Sequence, residues 1–535
     1  MLFNSFLFLL IFLPIALGVH YLPIALGVHY LLGALRPRLA ALWLCVASIV
    51  FYGWWNPQFV ILLAGSIIFN YLVSLVILSL AKRPRLQLLA TALGVAADIL
   101  LLVHYKYFAA MVNFVHDIGF NVGPMDTLIL PLGISFFTFT QIGYLLDCRA
   151  GVVNDRSPLS YVLFVTFFPH LIAGPILHHK EMMPQFSKRE TYRFQAENLS
   201  IGGMLFVIGL AKKVLLADSI APYADAGFAS TGDVQFWGAW ATALSYALQL
   251  YFDFSGYSDM ALGLARMFGI RFPLNFNSPY KATSIIDFWA RWHMTLTRYI
   301  TAYLYYPVAM AVTRWRTRHG RATGPTAVAS AGGFFSMIVL PTVWAMGLAG
   351  IWHGAGMQFL IFGLLHATYL VINHAWRVFV GGRKPAAMRK LNPFQHAGYL
   401  LLTFGAVLVA QAFFRADGVH DAWQLVQGMF GVRGWESMEN LGHVAGMGLA
   451  DGVRLLLGHH LQLLYILVAL TIVWLAPNAH QIMGVYSPAL AKPSPAPRAW
   501  MRWQPNWAWL LVMLVLLTLC LLNLHKETRF LYFQF

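Results

Sequence analysis

The sequence predicts an all-α, polytopic integral membrane protein. Hydrophobic residues make up 59% of the 535 residues and charged residues only 10%, whereas a soluble domain is about one-quarter charged. The mean hydropathy is +0.65, and long apolar runs recur from the first residues to the last. Because a segment in lipid must satisfy its own backbone hydrogen bonds, these runs are predicted to be helices.

The first apolar run, near the N-terminus, has no basic region before it and no small-residue cleavage site, so we expect a retained helix. This region contains a nine-residue repeat: LPIALGVHY occurs at residues 13–21 and again at 22–30. Nine residues rotate a helix by about half a turn, so the second copy presents its side chains to the opposite face. We interpret the repeat as a local duplication or a sequence artefact. Deleting one copy should leave activity intact, and loss of activity on that deletion would refute this interpretation.

The remaining runs predict roughly eleven to thirteen membrane segments in one domain, residues 1–535. Several are shorter than the ~20 residues of a full span, so some are expected to be half-helices or interfacial helices. No separate soluble domain is predicted. The runs lie near 39–52, 59–80, 86–112, 128–146, 161–177, 201–216, 236–252, 302–312, 327–348, 357–371, 397–414, 461–475 and 507–522.

The formal net charge of +16 comes from basic residues in the loops between apolar runs. Such loops stay in the cytoplasm, so this charge indicates topology rather than nucleic-acid binding. If residues 492–502 are cytoplasmic and 507–522 cross once, the C-terminal tail, 525–535, is extracytoplasmic. The basic loops are 82–85, 314–321, 377–390 and 492–502.

No metal site is predicted. Cys45, Cys148 and Cys520 lie far apart and are expected to be core residues. His170, His178 and His179 surround a run that breaks at glycine and proline, yet no acidic residue lies at a ligand-like spacing from them.

His353 is the main candidate catalytic residue. It lies in GIWHGAG, between two apolar runs, and a titratable group at membrane depth usually faces water or a partner. An ordinary imidazole pKa near 6.5 suits a general base, and the flanking glycines allow close approach of a substrate or a second backbone. Taken alone, the residue fits equally well a buried histidine that donates to a carbonyl of a neighbouring helix.

Two carboxylates, Asp253 and Asp259, follow the apolar run 236–252 in YFDFSGYSD. Carboxylates beside a membrane core mark a cavity or pathway, and they would line a tunnel or bind substrate. The alternative is a polar turn at the membrane edge in which each aspartate caps a helix.

Residues 284–307 are predicted to form an amphipathic helix at the membrane interface, with His293 in its middle. Asp287 and Arg291 are four residues apart and are predicted to pair on one helical face. Trp289 and Trp292 belong to the aromatic set expected of an interfacial helix, in which the histidine would be incidental.

Taken together, four motifs resemble the membrane-bound O-acyltransferase (MBOAT) family, and most closely its bacterial branch of alginate O-acetyltransferases and polysaccharide acetylation proteins. They are FPHLIAGP, LYFDFSGYSDMALGLARMFGIRFPLNFNSPY, IIDFWARWHMTL and GIWHGAG. The resemblance implies that His353 is catalytic and that His293 is the second functional histidine. It also implies a helical ring around a central tunnel, with the acyl donor entering from the cytoplasm and the acceptor from outside.

The same resemblance implies acetyl-CoA as the donor substrate, with no bound cofactor. Arg291 and Trp352 are further candidates for lining the tunnel or binding substrate. The sequence departs from alginate-type members after the 284–307 segment and at Ala290, which stands where a paired arginine is usual. These departures weaken alginate as the polymer and make acetylated cellulose a rival. Because the chain has no esterase-like domain, a periplasmic acetyltransferase partner is expected.

The last six residues, FLYFQF, resemble aromatic tails of the alginate branch. Tyr532 would lie outside the membrane, where its hydroxyl is a candidate acyl relay. The alternative is an aromatic belt that anchors the tail at the interface.

These observations predict a multi-pass protein of a bacterial inner membrane that acetylates an exported polysaccharide, alginate or cellulose. Two alternatives remain open at this stage. One is a transporter that uses Asp253 and Asp259, and the other is a structural subunit of a polysaccharide export complex.

Overall fold

The structure is a computed structural model, and all regular elements in the residues that it describes are helical, which confirms the predicted fold class. The described residues are 21–120, 122–126, 128–172, 174–380, 392–435, 449–491, 495–496, 498–524 and 531, without the side chains of 21–23, 55 and 449–460. They form two compact units. The single domain predicted for 1–535 stays a prediction, as does the ring around a tunnel.

Unit 1 comprises the described parts of Met1–Val214, Ser255–Leu274 and Ala479–Tyr532. Its N-terminal helices are α1 (Tyr21–Leu35), α2 (Pro37–Trp55), α3 (Pro57–Ser79), α4 (Pro84–Lys106), α5 (Phe108–Asp117), α6 (Ile134–Arg149), α7 (Pro158–Thr166), α8 (Phe168–Leu171), α9 (His179–Phe186) and α10 (Ala196–Ala211).

Unit 2 comprises the described parts of Leu215–Phe254 and Asn275–Asn478. Its helices are α11 (Asp218–Ala229), the first part of α12 (Phe236–Met267), α13 (Ile285–Trp289), α14 (Met294–Ile300), α15 (Tyr306–Arg318), α16 (Pro325–Val328), α17 (Ala331–Phe334), α18 (Leu340–His353), α19 (Met357–Ala375), α20 (Pro393–Arg415), α21 (Val419–Met429) and α22 (Leu449–Leu475). The chain then returns to unit 1 with α23 (Ala479–Ile482) and α24 (Trp507–Leu522).

Seven helices in the described part of the chain are long and apolar enough to cross a membrane. Three further apolar helices are shorter, at Ile24–Leu35, Leu461–Leu475 and Trp507–Leu522. Other predicted segments fold as short or broken helices, for example α6 and α7, as expected for runs below full span length. The seven spans are Pro37–Trp54, Pro57–Ser79, Pro84–Lys106, Ala196–Ala229, Ala331–His353, Met357–Val380 and Pro393–Arg415.

Local sequence signals explain where many of these helices begin. Proline occupies the first position of α2, α3, α4, α7 and α20, where its missing N–H removes no helical hydrogen bond and its fixed φ suits the helix. At α20 a capping box adds two bonds, because Asn392 and Gln395 each accept from the other's backbone N–H.

Stretches of π-helix interrupt several of the longer helices. In the Ala196–Ala229 span, Lys212–Ala217 joins α10 to α11. Others in the described residues are Thr301–Tyr305 after α14, Phe335–Val339 before α18 and Trp376–Val380 after α19. Such stretches often lie at functional positions, because they shift the register of the side chains that follow.

Small residues allow α10 and the second part of α12 to pack closely in unit 1. A Cβ on Gly202 would lie 2.5 Å from the carbonyl oxygen of Gly263, and one on Gly209 would lie 2.5 Å from that of Gly256. On each helix the second glycine follows the first by about two turns, so the contact repeats along one seam.

The second copy of the sequence repeat packs inside unit 1. His29 is buried and its Nε2 lies 3.3 Å from the carbonyl oxygen of Thr191. Tyr30 donates its hydroxyl to the carbonyl of Met267. Residues 13–20 of the first copy lie outside the described residues, so the duplication stays a hypothesis.

Candidate functional site

His353 is the last residue of α18, and its ring is packed among aromatic side chains of unit 2. Ring centroids lie 4.8 Å away at Trp352, 5.9 Å at Phe362 and 4.9 Å at Phe414. Only 9% of the residue is exposed. A reacting group that met this imidazole would therefore be largely shielded from bulk water.

Glycines place α19 directly against the end of α18, as the sequence predicted for a second backbone. A Cβ on Gly350 would lie 2.4 Å from the carbonyl oxygen of Phe359, and one on Gly363 would lie 2.3 Å from that of Met346. A Cβ on Gly354 would collide with the ring of Phe359. The position of His353 therefore depends on a helix contact that has no space for a methyl group.

Gly350→Ala should destabilise unit 2 and lower transfer activity, because the added methyl group meets backbone atoms that cannot rotate away. Overpacking of this kind costs about 1–3 kcal/mol. Gly347→Ala is the matched control on the same helix, since its Cβ would meet only the side chain of Leu364 at 3.9 Å. Thermal unfolding of the purified proteins measures the difference, and equal stability of the two variants would contradict the prediction.

His293 lies at a break between helices and not inside one, so the predicted continuous interfacial helix 284–307 is wrong. Helix α13 ends at Trp289, α14 begins at Met294, and His293 adopts φ 41° and ψ 53°. This left-handed conformation is uncommon for residues other than glycine. Trp289 and Trp292 are buried, because they pack in unit 2 instead of anchoring a helix at the lipid interface.

Asn275 holds the ring of His293. The Asn275 Oδ1 atom lies 2.9 Å from His293 Nδ1, 2.8 Å from Thr295 Oγ1 and 3.4 Å from the Thr295 backbone N. Because a backbone N–H only donates, the amide atom facing it is the acceptor oxygen. His293 Nδ1 therefore carries the proton and donates to Asn275, which leaves the lone pair on Nε2.

His293 is neutral in this setting. It is 1% exposed and lies outside the seven candidate spans, and burial lowers its pKa to about 3. A histidine with so low a pKa stays uncharged throughout the physiological pH range. Its Nε2 is therefore suited to accepting a hydrogen bond.

Asn275→Ala should lower transfer activity more than Thr295→Val. The first change removes the acceptor that fixes the His293 ring, whereas the second removes one donor to Asn275 and leaves the His293–Asn275 bond in place. A buried donor left without its acceptor costs about 1–3 kcal/mol. We expect kcat to fall with a smaller change in KM, measured on variants of matched thermal stability. Equal kcat values in the two variants would contradict the positioning role of Asn275.

A chain of rings connects the two histidines inside unit 2. The Phe362 ring lies between His353 and His366, 4.7 Å from the latter. His366 Nδ1 accepts from the Trp289 indole N–H at 3.3 Å, so its own proton is on Nε2. Ring contacts continue to His293 through Phe288, Trp292 and Phe276.

Arg291 and Asp287 form the predicted i,i+4 pair, with Arg291 Nε 2.8 Å from Asp287 Oδ1. Both side chains are one-third exposed, so the pair contributes little to stability. Arg291 also donates through Nη1 to the carbonyl of Asn277 at 3.4 Å. The roles of Arg291 and of the buried Trp352 in substrate binding stay predictions.

Asp253 and Asp259 are buried inside α12, so the alternative of a polar turn with capping aspartates is wrong. The step from one to the other rotates a helix by about 240°, which points the two side chains to different faces. In unit 1, Asp259 pairs with Lys212 Nζ at 2.6 Å and with His480 Nε2 at 3.0 Å. A buried carboxylate held by two partners in this way is explained as an internal ion pair.

The three histidines near the broken helix separate in the structure. His170 is buried and its Nε2 lies 3.0 Å from the carbonyl oxygen of Phe164. His178 and His179 instead converge on Asp147, which belongs to the earlier helix α6. The expectation that these histidines lack an acidic partner is therefore wrong, because the fold supplies it.

Two kinds of residue at the candidate site could not be found from the sequence. Asn275 was visible only as part of the LNFNSPY motif, and nothing local links it to His293. Phe414 and His366 lie in long apolar runs, where one aromatic or imidazole ring does not stand out. Tyr532 and most of its tail lie outside the described residues.

Comparison with known proteins gives one family match. The model of the MBOAT, membrane-bound O-acyltransferase family, matches residues 101–331. This range includes His293, Arg291 and both aspartates, and it ends before the helix that carries His353.

Similar proteins extend the likeness over most of the chain. The peptidoglycan O-acetyltransferase of Helicobacter pylori is 39% identical over 81% of this chain and 80% of its own length. The probable alginate O-acetylase AlgI of Pseudomonas aeruginosa is 36% identical over 84% and 78%, respectively. The teichoic acid D-alanyltransferase of Bacillus subtilis is 30% identical over 46% of this chain and 60% of its own length.

Proposed function

The chain belongs to the membrane-bound O-acyltransferase family, and we propose that it transfers the acetyl group of acetyl-CoA across the inner membrane for O-acetylation of an exported polysaccharide. Family membership and the seven candidate spans make the chain a multi-pass membrane acyltransferase. We add acetyl-CoA, a partner protein and the polymer as proposals. No bound cofactor is required, because the thioester supplies the activated acyl group.

The placement of His353 carries the proposal. Its imidazole is buried at the end of α18, where glycines allow α19 to pack closely. A chain of aromatic contacts within unit 2 connects it to His293. An alcohol is a poor nucleophile near neutral pH, and a positioned base overcomes this. The shielded surround of His353 also limits competing hydrolysis of the thioester.

The reaction follows from these groups. His353 takes the proton of the acceptor hydroxyl while the hydroxyl oxygen attacks the thioester carbonyl carbon. The tetrahedral intermediate then collapses, the carbon–sulfur bond breaks, and the thiolate leaves and takes the proton from the imidazolium. The products are an acetyl ester and the free thiol of CoA, and His353 returns to its starting form.

His293 orients a substrate. Polarising the thioester carbonyl requires a donor, whereas the His293 tautomer fixed by Asn275 offers a lone pair on Nε2. This tautomer supports a role in which Nε2 accepts from an N–H or O–H of a substrate and holds it in place. Asn275 is then a positioning residue that acts through His293.

The final acceptor is a sugar hydroxyl, which the acetyl group reaches through an outer-side protein. The relatives are named for peptidoglycan and for alginate, so peptidoglycan joins alginate and cellulose as a candidate polymer. We place the tail, 525–535, in the periplasm, where either Tyr532 or a hydroxyl of a periplasmic acetyltransferase receives the acetyl group first. The positive-inside rule supports this orientation.

The polymer is identified by removing the gene and measuring base-labile acetate on each purified polymer. We expect acetate to disappear from one polymer and to return with the wild-type gene but not with His353→Ala. Unchanged acetate on alginate, cellulose and peptidoglycan would contradict the proposal. Loss of D-alanine esters from teichoic acid would instead move the donor to the D-alanyl class.

The transporter alternative predicts that Asp253→Asn and Asp259→Asn abolish function while His353→Ala is mild. The ion pair of Asp259 with Lys212 and its contact with His480 favour a structural role for this carboxylate. A structural subunit of an export complex predicts normal acetylation by a folded His353→Ala protein. His353→Ala therefore separates the enzyme from both alternatives, and the aspartate variants separate the two alternatives from each other.

A further inference from the structure

The side chains of Asp147, His178 and His179 form a convergent cluster in unit 1, away in sequence from both functional histidines. Asp147 Oδ2 lies 2.9 Å from His178 Nε2 and 3.2 Å from His179 Nδ1. All three ligand atoms lie within 4.8 Å of one another. We propose that this cluster binds a divalent transition-metal ion, with zinc the expected ion.

The spacing fits a metal that draws the three atoms together. Zinc binds imidazole nitrogen and carboxylate oxygen at about 2.0–2.2 Å in a tetrahedron, which places neighbouring ligand atoms about 3.3 Å apart. The two oxygen–nitrogen distances are already near this value. The set of two histidines and one carboxylate leaves one or more positions for water, as in other sites of this type.

The surroundings hold the ligands and leave an entry path. His179 and Asp147 are buried, and the His179 ring packs edge-on against Tyr144 at 5.4 Å. The His178 side chain is 27% exposed, so an ion and its water reach the cluster from that side. The two imidazole rings lie 4.8 Å apart, so a single ion beside Asp147 can reach one nitrogen of each ring.

Metal binding would change one backbone contact. The Lys180 N–H lies 3.4 Å from His178 Nδ1, and coordination through Nε2 places a proton on Nδ1 and gives up this long contact. Without a metal, both imidazoles donate N–H groups to the carboxylate.

The ion would join the end of α6 to the start of α9. Asp147 lies in the last turn of α6, and His178 and His179 begin α9 after the Gly174–Pro175 break. The ion therefore has a structural role, because it fixes a chain segment that the broken helix leaves without regular hydrogen bonds. This role is independent of acyl transfer by unit 2.

The test is metal content of the full-length protein, purified with a tag that contains no histidine. We expect about one equivalent of zinc in wild type and less than about one-tenth in Asp147→Ala and His178→Ala. His420→Ala is the matched control, since His420 is exposed and contacts Gln424 in unit 2. Zinc retained in both cluster variants would mean an adventitious ion and would overturn the proposal.

A spectrum of wild type keeps the proposal testable if the variants do not fold. Cobalt added to chelator-treated protein should give visible d–d absorption that zinc then abolishes, and zinc should raise the unfolding temperature. Protein that contains no metal after growth with added zinc, and gives neither spectrum nor stabilisation, would overturn the site.

Discussion

His353→Ala should reduce acetyl transfer by about 10²- to 10⁴-fold at unchanged protein level, which is the usual contribution of a positioned general base. His353 is the last residue of α18, and its ring packs against Phe414 and Phe362. Alanine therefore removes the base and leaves a small cavity. His353→Gln retains most of the volume and a polar end, and should be as inactive as alanine. The measurement is the initial rate in membranes that contain equal amounts of each protein.

Two observations would contradict this prediction. One is an active His353→Gln, which would show that the imidazole is not the base. The other is a His353→Ala protein that transfers acetyl at the wild-type rate. Gly347→Ala provides the control for a change on the same helix.

His293→Asn should lower kcat by about 10²-fold, the effect of misplacing a reacting group by about 1 Å. Asparagine tolerates the left-handed backbone that this position adopts. The variant therefore removes the imidazole without changing the backbone conformation. Because Nε2 is proposed to orient a substrate, the KM for the donor should also rise. Stability, kcat and KM of purified variants are the measurements.

The Asn275→Ala, His293→Asn double variant tests how these two residues act. If Asn275 works only through His293, the double variant should be no slower than His293→Asn alone, since coupled residues are non-additive. Fully additive losses would mean that Asn275 has a separate role. A His293→Asn protein with wild-type kcat would remove His293 from the site.

Local spacing predicted part of the site well. The Asp287–Arg291 pair requires only one turn of helix, and that turn forms even though α13 ends at Trp289. The glycines around His353 signalled a close helix contact, because a missing Cβ is a local property of the residue. The backbone of α19 against Gly350 is the contact that they allow.

Tertiary packing decided the rest. Trp289 and Trp292 have the composition of an interfacial anchor, yet contacts with His366 on α19 and with Phe288 bury them within unit 2. The acidic partner of His178 and His179 comes from another helix, and the acceptor for His293 comes from Asn275. Partners this far apart in sequence give no periodic signal, so only the fold brings these pairs together.

The aspartates illustrate the same limit. Asp253 and Asp259 stand out because charged residues are rare in an apolar chain. This rarity alone does not show whether they line a substrate pathway or form an internal ion pair. The glycine seam of α10 and α12 places Asp259 beside Lys212, and His480 arrives from α23. The partners of Asp259 therefore depend on helix packing that the sequence alone does not specify.

We propose above all that His353 moves an acetyl group from acetyl-CoA to an outer-side hydroxyl. The most direct measurement is transfer of radiolabelled acetyl from acetyl-CoA in purified membranes, comparing wild type, His353→Ala and Tyr532→Phe at matched expression. Transfer by wild type that is lost in His353→Ala is the predicted result. Loss of label also in Tyr532→Phe would make Tyr532 the first acceptor, and its persistence would assign that step to a partner protein. Unchanged transfer in His353→Ala would contradict the mechanism.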